Sequence, residues 1–518
     1  MEQNSRTRNS LINLFTGFGG QLLTIFLSFI VRTVFIKTLG KSYLGINGLF
    51  SNILTMLSLT ELGLDTAINF KLYKPLSEHD EKRVRLLMKF YRQAYAVIGG
   101  VILLLGLCLI PLLPRLINDY DSLESLGIDA TVVFLLYLAQ SVSSYMFFAS
   151  RSAVVKADQK QYLLDVVDYL INIALSVSQI ITLICFSNFI LYTALTIVWG
   201  IIKNLTEAVI AKKYYGYAFC TEKDSLSINE IKEIFKDLGA LFIYKVNGVV
   251  LKATDNIVLS TFLGLAIVGI YSNYLILYTA IKQLLDKIYN AIKASMGNLF
   301  ATGNVQKRYD FFEVMNFLSA LLYGTACIGV SVVADELVET WIGNDYMIAK
   351  PFSLLMGIEI VFVGLKVNLG QIRNVSGVFR QMWFRPLLGI VINLVVSVLM
   401  VRRLGIYGVL IGTIVADFTT CFMVDPSVIY KYSFEGKYSV GSYYIKIAKY
   451  AMILIATGVI DSLLCTHILT GKGWLSVFCH AFICGISVPI TFSAVFHNSN
   501  EFQYLWNKSV HLLKRKIK

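Results

Sequence analysis

Long apolar runs recur along the whole chain, separated by short polar stretches. A helix of about 20 apolar residues crosses a hydrocarbon layer roughly 30 Å thick, and each run is close to that length. The pattern predicts fourteen membrane helices, near 13 to 36, 43 to 70, 93 to 113, 131 to 154, 163 to 186, 190 to 211, 238 to 262, 270 to 292, 311 to 334, 350 to 372, 386 to 401, 406 to 429, 447 to 465 and 474 to 496. The first run is too long for a signal-peptide core and no small-residue cleavage site follows it, so it is expected to remain as a membrane helix. After the last span, Phe502 to Lys518 interleaves Leu505, Trp506, Val510, Leu512 and Leu513 with Lys508, Lys514, Arg515, Lys516 and Lys518. That pattern fits either an interfacial amphipathic helix or a disordered basic tail.

Composition agrees with the pattern: 56% of the 518 residues are hydrophobic, 15% are charged, and mean hydropathy is +0.65. A soluble domain carries roughly 25% charged residues, so a water-soluble multidomain enzyme is excluded. Of the 46 Lys and Arg residues, only Lys37, Lys41, Arg115, Lys350, Arg402, Arg403 and Lys472 fall in one set of alternate loops. Most of the others border the opposite side, which places both termini in the cytoplasm. The net charge of +13 thus reflects topology and anionic lipid, and no nucleic-acid partner is expected. Eight scattered cysteines without CxxC or His/Cys spacing read as buried hydrophobes, with no metal site.

Two sequence pairs indicate a duplication. Leu39-Gly40 with Gly45-Ile46 matches Leu263-Gly264 with Gly269-Ile270 at a displacement of 224 residues, and Ile171-Asn172 with Ser176-Val177 matches Ile392-Asn393 with Ser397-Val398 at 221. Six spans per copy is an even number, so the copies run parallel. The expected fold is an all-α polytopic membrane protein: two pseudo-repeated six-helix lobes around a central cavity, with two further C-terminal helices. The predicted segments are an N-terminal lobe over 1–212, a cytoplasmic linker over 213–237, a C-terminal lobe over 238–430, the extra helices within 431–497 and a basic cytoplasmic tail over 498–518.

An ionisable residue within a span costs about 2.5–3.5 kcal/mol on insertion scales, so it faces a cavity or a partner. Span 7 places Lys245, Lys252 and Asp255 on one helical face. Span 8 carries Lys282 and Asp286 one turn apart, beneath Tyr271, Tyr274 and Tyr278; span 2 carries Glu61 and Asp65; spans 1 and 12 add Arg32 and Asp417. The candidate cavity cations are Arg32, Lys245, Lys252 and Lys282, which could neutralise an anionic phosphate. The carboxylates Glu61, Asp65, Asp255, Asp286 and Asp417 are candidates for binding a proton or sodium ion, with no other cofactor expected. Tyr271, Tyr274 and Tyr278 could stack on sugar rings, although an aromatic stripe also serves packing. Lys282 with Asp286 equally suits simple pairing, and for Lys203, Glu207, Asp165, Asp168, Lys71 and Asp425, near span ends, pairing is the expected state.

Neither GxxxxGK[ST] nor a nucleotide-binding segment is present, which disfavours ATP-driven transport. The outside loops are short, the longest spanning about Leu113 to Ala130, leaving little room for a membrane polymerase or glycosyltransferase.

The stretch from Arg32 through Lys37-Thr-Leu-Gly-Lys-Ser-Tyr-Leu-Gly-Ile-Asn-Gly-Leu-Phe50 to Leu59-Thr-Glu-Leu-Gly-Leu-Asp65 resembles the lipid-linked oligosaccharide flippases and polysaccharide transporters of the multidrug/oligosaccharidyl-lipid/polysaccharide exporter superfamily. Thr254-Asp255-Asn-Ile-Val-Leu259, Val268-Gly-Ile-Tyr-Ser-Asn273 and Leu404-Gly-Ile-Tyr-Gly-Val-Leu-Ile-Gly-Thr413 carry the same resemblance along nearly the whole chain. It implies alternating access in a bacterial cytoplasmic membrane. The implied substrate is an oligosaccharide repeat unit on undecaprenyl pyrophosphate, for capsule or O-antigen-type polysaccharide. Membrane lipids, and the polymerase and glycosyltransferases of that assembly route, are the implied partners. Functional cations of the family lie between lobes, and Arg32, Lys245 and Lys252 occupy the best positions. A multidrug or cation antiporter of the same superfamily and a membrane polysaccharide polymerase are the competing readings.

Overall fold

The computed structural model describes residues 2–57, 64–117, 129–146, 148–158, 160–220, 224–232, 250, 253–302, 304–349, 351–376, 378–382, 384–468 and 473–517. Among these residues the structure is helical, with no strand. Among the described residues, eleven helices are long and apolar enough to cross a membrane. The described helical stretches Lys41–Leu57, Ala130–Ser143 and 253–263 stand where the sequence places spans 2, 4 and 7. Each of the fourteen predicted spans therefore has a helix.

The chain forms two compact units, Met1–Ser272 and Asn273–Lys518. The first contains α1 (Glu2–Leu39), α2 (Lys41–Leu57), α3 (Leu64–Ser77), α4 (Glu81–Leu109), α5 (Ala130–Ser143), α6 (Ser152–Ala157), α7 (Gln161–Phe186), α8 (Phe189–Tyr215) and α9 (253–263). It also takes the first turns of α10 (Leu265–Thr302). The boundary between these two units falls within α10. Its physical reason is that α9 and the start of α10 bond into the first unit: Ser260 Oγ donates to the Leu116 carbonyl at 2.8 Å, and Arg32 hydrogen-bonds Ser272.

Element starts follow capping chemistry. The Asp80 carboxylate accepts from the Arg83 N–H at 2.9 Å, which begins α4 twelve residues before the apolar run that predicts span 3. Asp129 caps α5 through the N–H groups of Thr131 and Val132, and Asn188 caps α8 through that of Leu191.

The duplicated glycine motif has a shared geometry. Gly40 and Gly264 each form a one-residue break between helices, at φ +84° and +85°, a left-handed backbone that side chains with a Cβ avoid. Beyond them, a Cβ on Gly45 would lie 2.0 Å from the Leu265 carbonyl oxygen, and one on Gly269 would lie 2.4 Å from that of Lys41. Adding 224 to 45 and 41 gives 269 and 265, so the contact is reciprocal under the displacement read from the sequence. Two copies of one motif meet there across a local pseudo-two-fold.

The second unit contains the remainder of α10, then α11 (Val305–Ile342), α12 (Pro351–Ser376), α13 (Arg385–Leu404) and α14 (Tyr407–Tyr432). A π-helical turn at Phe418–Phe422 interrupts α14. α15 (Val440–Ile468), α16 (Trp474–Phe496) and α17 (Asn500–Ile517) complete the unit. The basic tail is therefore helical, and its start docks on the unit: Lys446 Nζ bonds Glu313 Oε2 and Glu501 Oε1, both at 2.7 Å. An aromatic core of Phe312, Tyr430, Phe434 and Tyr443 joins α11 to α14 and α15, while Ile455, Leu475 and Phe482 are exposed on the outer helices as lipid-facing residues would be.

Candidate functional site

In the first unit, Arg32 is the centre of a polar cluster. It donates from Nη2 to Ser272 Oγ, and Ser272 passes its own hydrogen to the Gly269 carbonyl at 2.6 Å. The arginine is half-buried, near the Tyr137 and Tyr192 hydroxyls. Tyr137 in turn donates to Asn47 Oδ1 at 2.6 Å. This cluster sits beside the reciprocal glycine contact, so the close helix approach there also fixes the guanidinium.

Asp255 is buried on α9 together with Asn256 and Ser260, which extends the polar face expected for span 7. Lys245, Lys252 and Glu61 lie outside the described residues. Asp65 belongs to the first turn of α3, where only the backbone is described.

In the second unit, Lys282 Nζ contacts Asp286 Oδ2 at 2.6 Å, one turn along α10, and both side chains are about one-third exposed, at 32% and 35%. The structure thus shows these two as a pair. Asp417 is buried and bonds Lys366 Nζ at 2.6 Å. The tyrosine stripe is interior: Tyr271, Tyr274 and Tyr278 are all buried. Tyr274 donates to Asp335 Oδ1 at 2.8 Å, accepts from the Ile348 N–H at 3.1 Å, and meets Phe352 edge-on at 5.1 Å between centroids. In this conformation its ring serves packing, with no face open to a sugar.

Sequence reasoning leaves Asp425 near a span end without naming its partners. The structure supplies two arginines from other helices: Arg385 Nε at 2.8 Å from Oδ1, and Arg373 Nη1 at 3.4 Å from Oδ2. All three groups are buried. The π-turn between Asp417 and Asp425 adds a residue to the helix and carries Cys421, whose thiol contacts Asp425 Oδ2 at 3.6 Å. The unit therefore holds a Lys366–Asp417 pair with a buried carboxylate and a fully buried Arg373–Asp425–Arg385 set. In the first unit Lys203 bonds Asp168 at 2.6 Å and approaches Glu207 at 3.9 Å, the pairing expected for those residues.

No family model matches the sequence, and no curated protein matches it. Among solved structures, the lipid II flippase MurJ in an inward closed conformation superposes with a TM-score of 0.66 at 13% identity, over 94% of this chain and 99% of that one. A multidrug resistance MATE family transporter of the MOP superfamily superposes in its inward-facing form with a TM-score of 0.56 at 13% identity, over 80% of this chain and 96% of that one. Its outward-facing counterpart gives 0.57 at 13% identity, over 83% and 97%. The chain thus shares the fold of this flippase and of these transporters.

Proposed function

We propose that the protein is a flippase. It carries undecaprenyl-pyrophosphate-linked oligosaccharide repeat units from the cytoplasmic to the outer leaflet of a bacterial cytoplasmic membrane, by alternating access, for assembly of a capsule or O-antigen-type polysaccharide. The observation that carries this reading is the full-length likeness to a lipid II flippase, which extends over 94% of the chain against 80% and 83% for the multidrug transporter. The cation content of the spans supports it: Arg32, Lys245 and Lys252 offer positive charge to a pyrophosphate that must leave water to cross. To recruit Lys282 as well, the pyrophosphate must compete with Asp286 for its ammonium.

The lipid chain stays in the bilayer while the sugar passes through the protein. Asp255, and Glu61 and Asp65 on the other repeat, are the carboxylates proposed to take up a proton or sodium ion and bias one conformer. Asp286 and Asp417 join them only when Lys282 and Lys366 swing away. Polymerase and glycosyltransferases of the same assembly route are the proposed partners.

The likeness to multidrug transporters supports a second reading, an antiporter of organic cations. The two separate in a deletion strain complemented with Lys252→Glu. The flippase reading expects polymer export to be lost at unchanged protein level. Unaltered export, or drug sensitivity of the deletion strain with normal polymer, overturns it.

A further inference from the structure

The first unit has a partly open cavity of about 100 Å³ lined by residues of α4, of the turn after α5 and of the segment that follows α8. That is several times the roughly 10–15 Å³ one water requires. Four cations line it: Arg85, Lys89 and Arg92 from successive turns of α4, and Arg151 from the turn that follows α5. Arg85 also faces Glu81 at 3.5 Å, and Lys89 bonds the Asp224 carbonyl at 3.0 Å and Ser225 Oγ at 3.2 Å. Among the described residues, no carboxylate lies within ion-pair distance of Arg92 or Arg151.

The turn is built to hold Arg151. Its guanidinium lies 4.2 Å from the ring centre of Phe148 and 5.0 Å from that of Phe219, two aromatic faces that fix its plane and leave its N–H edge for a ligand. Phe148 achieves this at φ +65°, a left-handed conformation costly for a bulky residue.

What lies beyond the cavity along α4 indicates the source of the anion. Arg92 stands where the helix turns from basic to apolar. Its stripe continues through Ala96, Gly100, Leu103 and Leu107 at helical spacing, with Leu103 and Leu107 exposed and open space where a Cβ on Gly100 would project. A charged recess at the foot of an exposed apolar helix face matches a phosphate joined to an acyl chain.

We propose that this cavity binds a phosphate-bearing anion and that its occupant is the headgroup of an anionic phospholipid, with an acyl chain along the exposed Ala96–Leu107 face of α4. The site belongs to one unit and is separate from the transport residues, so it holds whether or not the flippase reading does.

The test is native mass spectrometry of the full-length protein in detergent, titrated with phosphatidylglycerol or phosphatidylcholine, with inorganic pyrophosphate as a soluble competitor. One phosphatidylglycerol should be retained in preference to phosphatidylcholine. Arg92→Gln, a change on an exposed side chain, should weaken it about fivefold, the order expected for one cation at a lipid surface, and Arg92→Gln with Arg151→Gln more. Lys437→Gln, on an exposed loop elsewhere, should change nothing. Equal retention of the two lipids, or unchanged retention by both arginine variants, overturns the site. Displacement of the lipid by pyrophosphate at comparable concentration overturns its assignment to a membrane lipid.

Discussion

At the scale of single residues, the charges within the spans sort by the partners they meet. Asp425 satisfies two buried arginines, and removing one member of such a network leaves the others uncompensated. Asp425→Asn should therefore destabilise the protein by about 3–5 kcal/mol, read as a large fall in unfolding temperature in detergent; a shift no larger than that of a surface substitution would contradict this. Glycines differ in the same way. Gly45→Ala drives a methyl group into the Leu265 carbonyl and should cost roughly 1–3 kcal/mol. Gly200→Ala, within α8 and facing open space, should instead stabilise by roughly 0.4–1 kcal/mol. The opposite signs are checked in one thermal-unfolding series. The Gly40/Gly45 and Gly264/Gly269 pairs were legible in the sequence because a backbone break and a close approach both require glycine. The partners of Asp425 were not, because Arg373 and Arg385 come from helices 52 and 40 residues away and nothing local marks the encounter.

At the scale of elements, apolar run length placed helices, including the eleven among the described residues that are long and apolar enough to cross a membrane, but not where they begin. α4 starts at Glu81 because Asp80 caps it, so its basic first turns stand outside the apolar run and meet the segment 224–232. Lys82 pairs with Asp224 at 2.8 Å and Arg83 with Glu230 at 2.6 Å. The Ser227 N–H and then the Arg83 guanidinium hold the Glu230 carboxyl well below the ordinary carboxylate range, at about 2. Lys82 likewise lowers that of Asp224. A depressed acid stabilises the contact fully above its unfolded pKa and loses that contribution as pH falls through its folded value. Docking of 224–232 on α4 should thus weaken between about pH 4.5 and 2. Hydrogen exchange of the segment read against α8 checks this, and Glu230→Gln should abolish the pH dependence attributable to Glu230. The opposite lesson comes from the tyrosine stripe on α10. Helical spacing put Tyr271, Tyr274 and Tyr278 together, yet periodicity alone does not say which side of the stripe meets protein, and all three are buried.

At the scale of the whole molecule, a fold shared with a lipid II flippase and with MATE transporters was legible from span count, an even repeat and a few motif residues, although no family model and no curated protein matches the sequence. The substrate is the proposed step, and it rests on Lys245 and Lys252 as well as Arg32. The most direct measurement places the purified protein in liposomes with a fluorescent undecaprenyl-pyrophosphate oligosaccharide and follows protection of the label between leaflets, with and without a proton or sodium gradient. The account predicts protein-dependent translocation that Lys252→Glu abolishes while the folded protein is retained. No translocation under any gradient, together with efflux of a small organic cation, would contradict it.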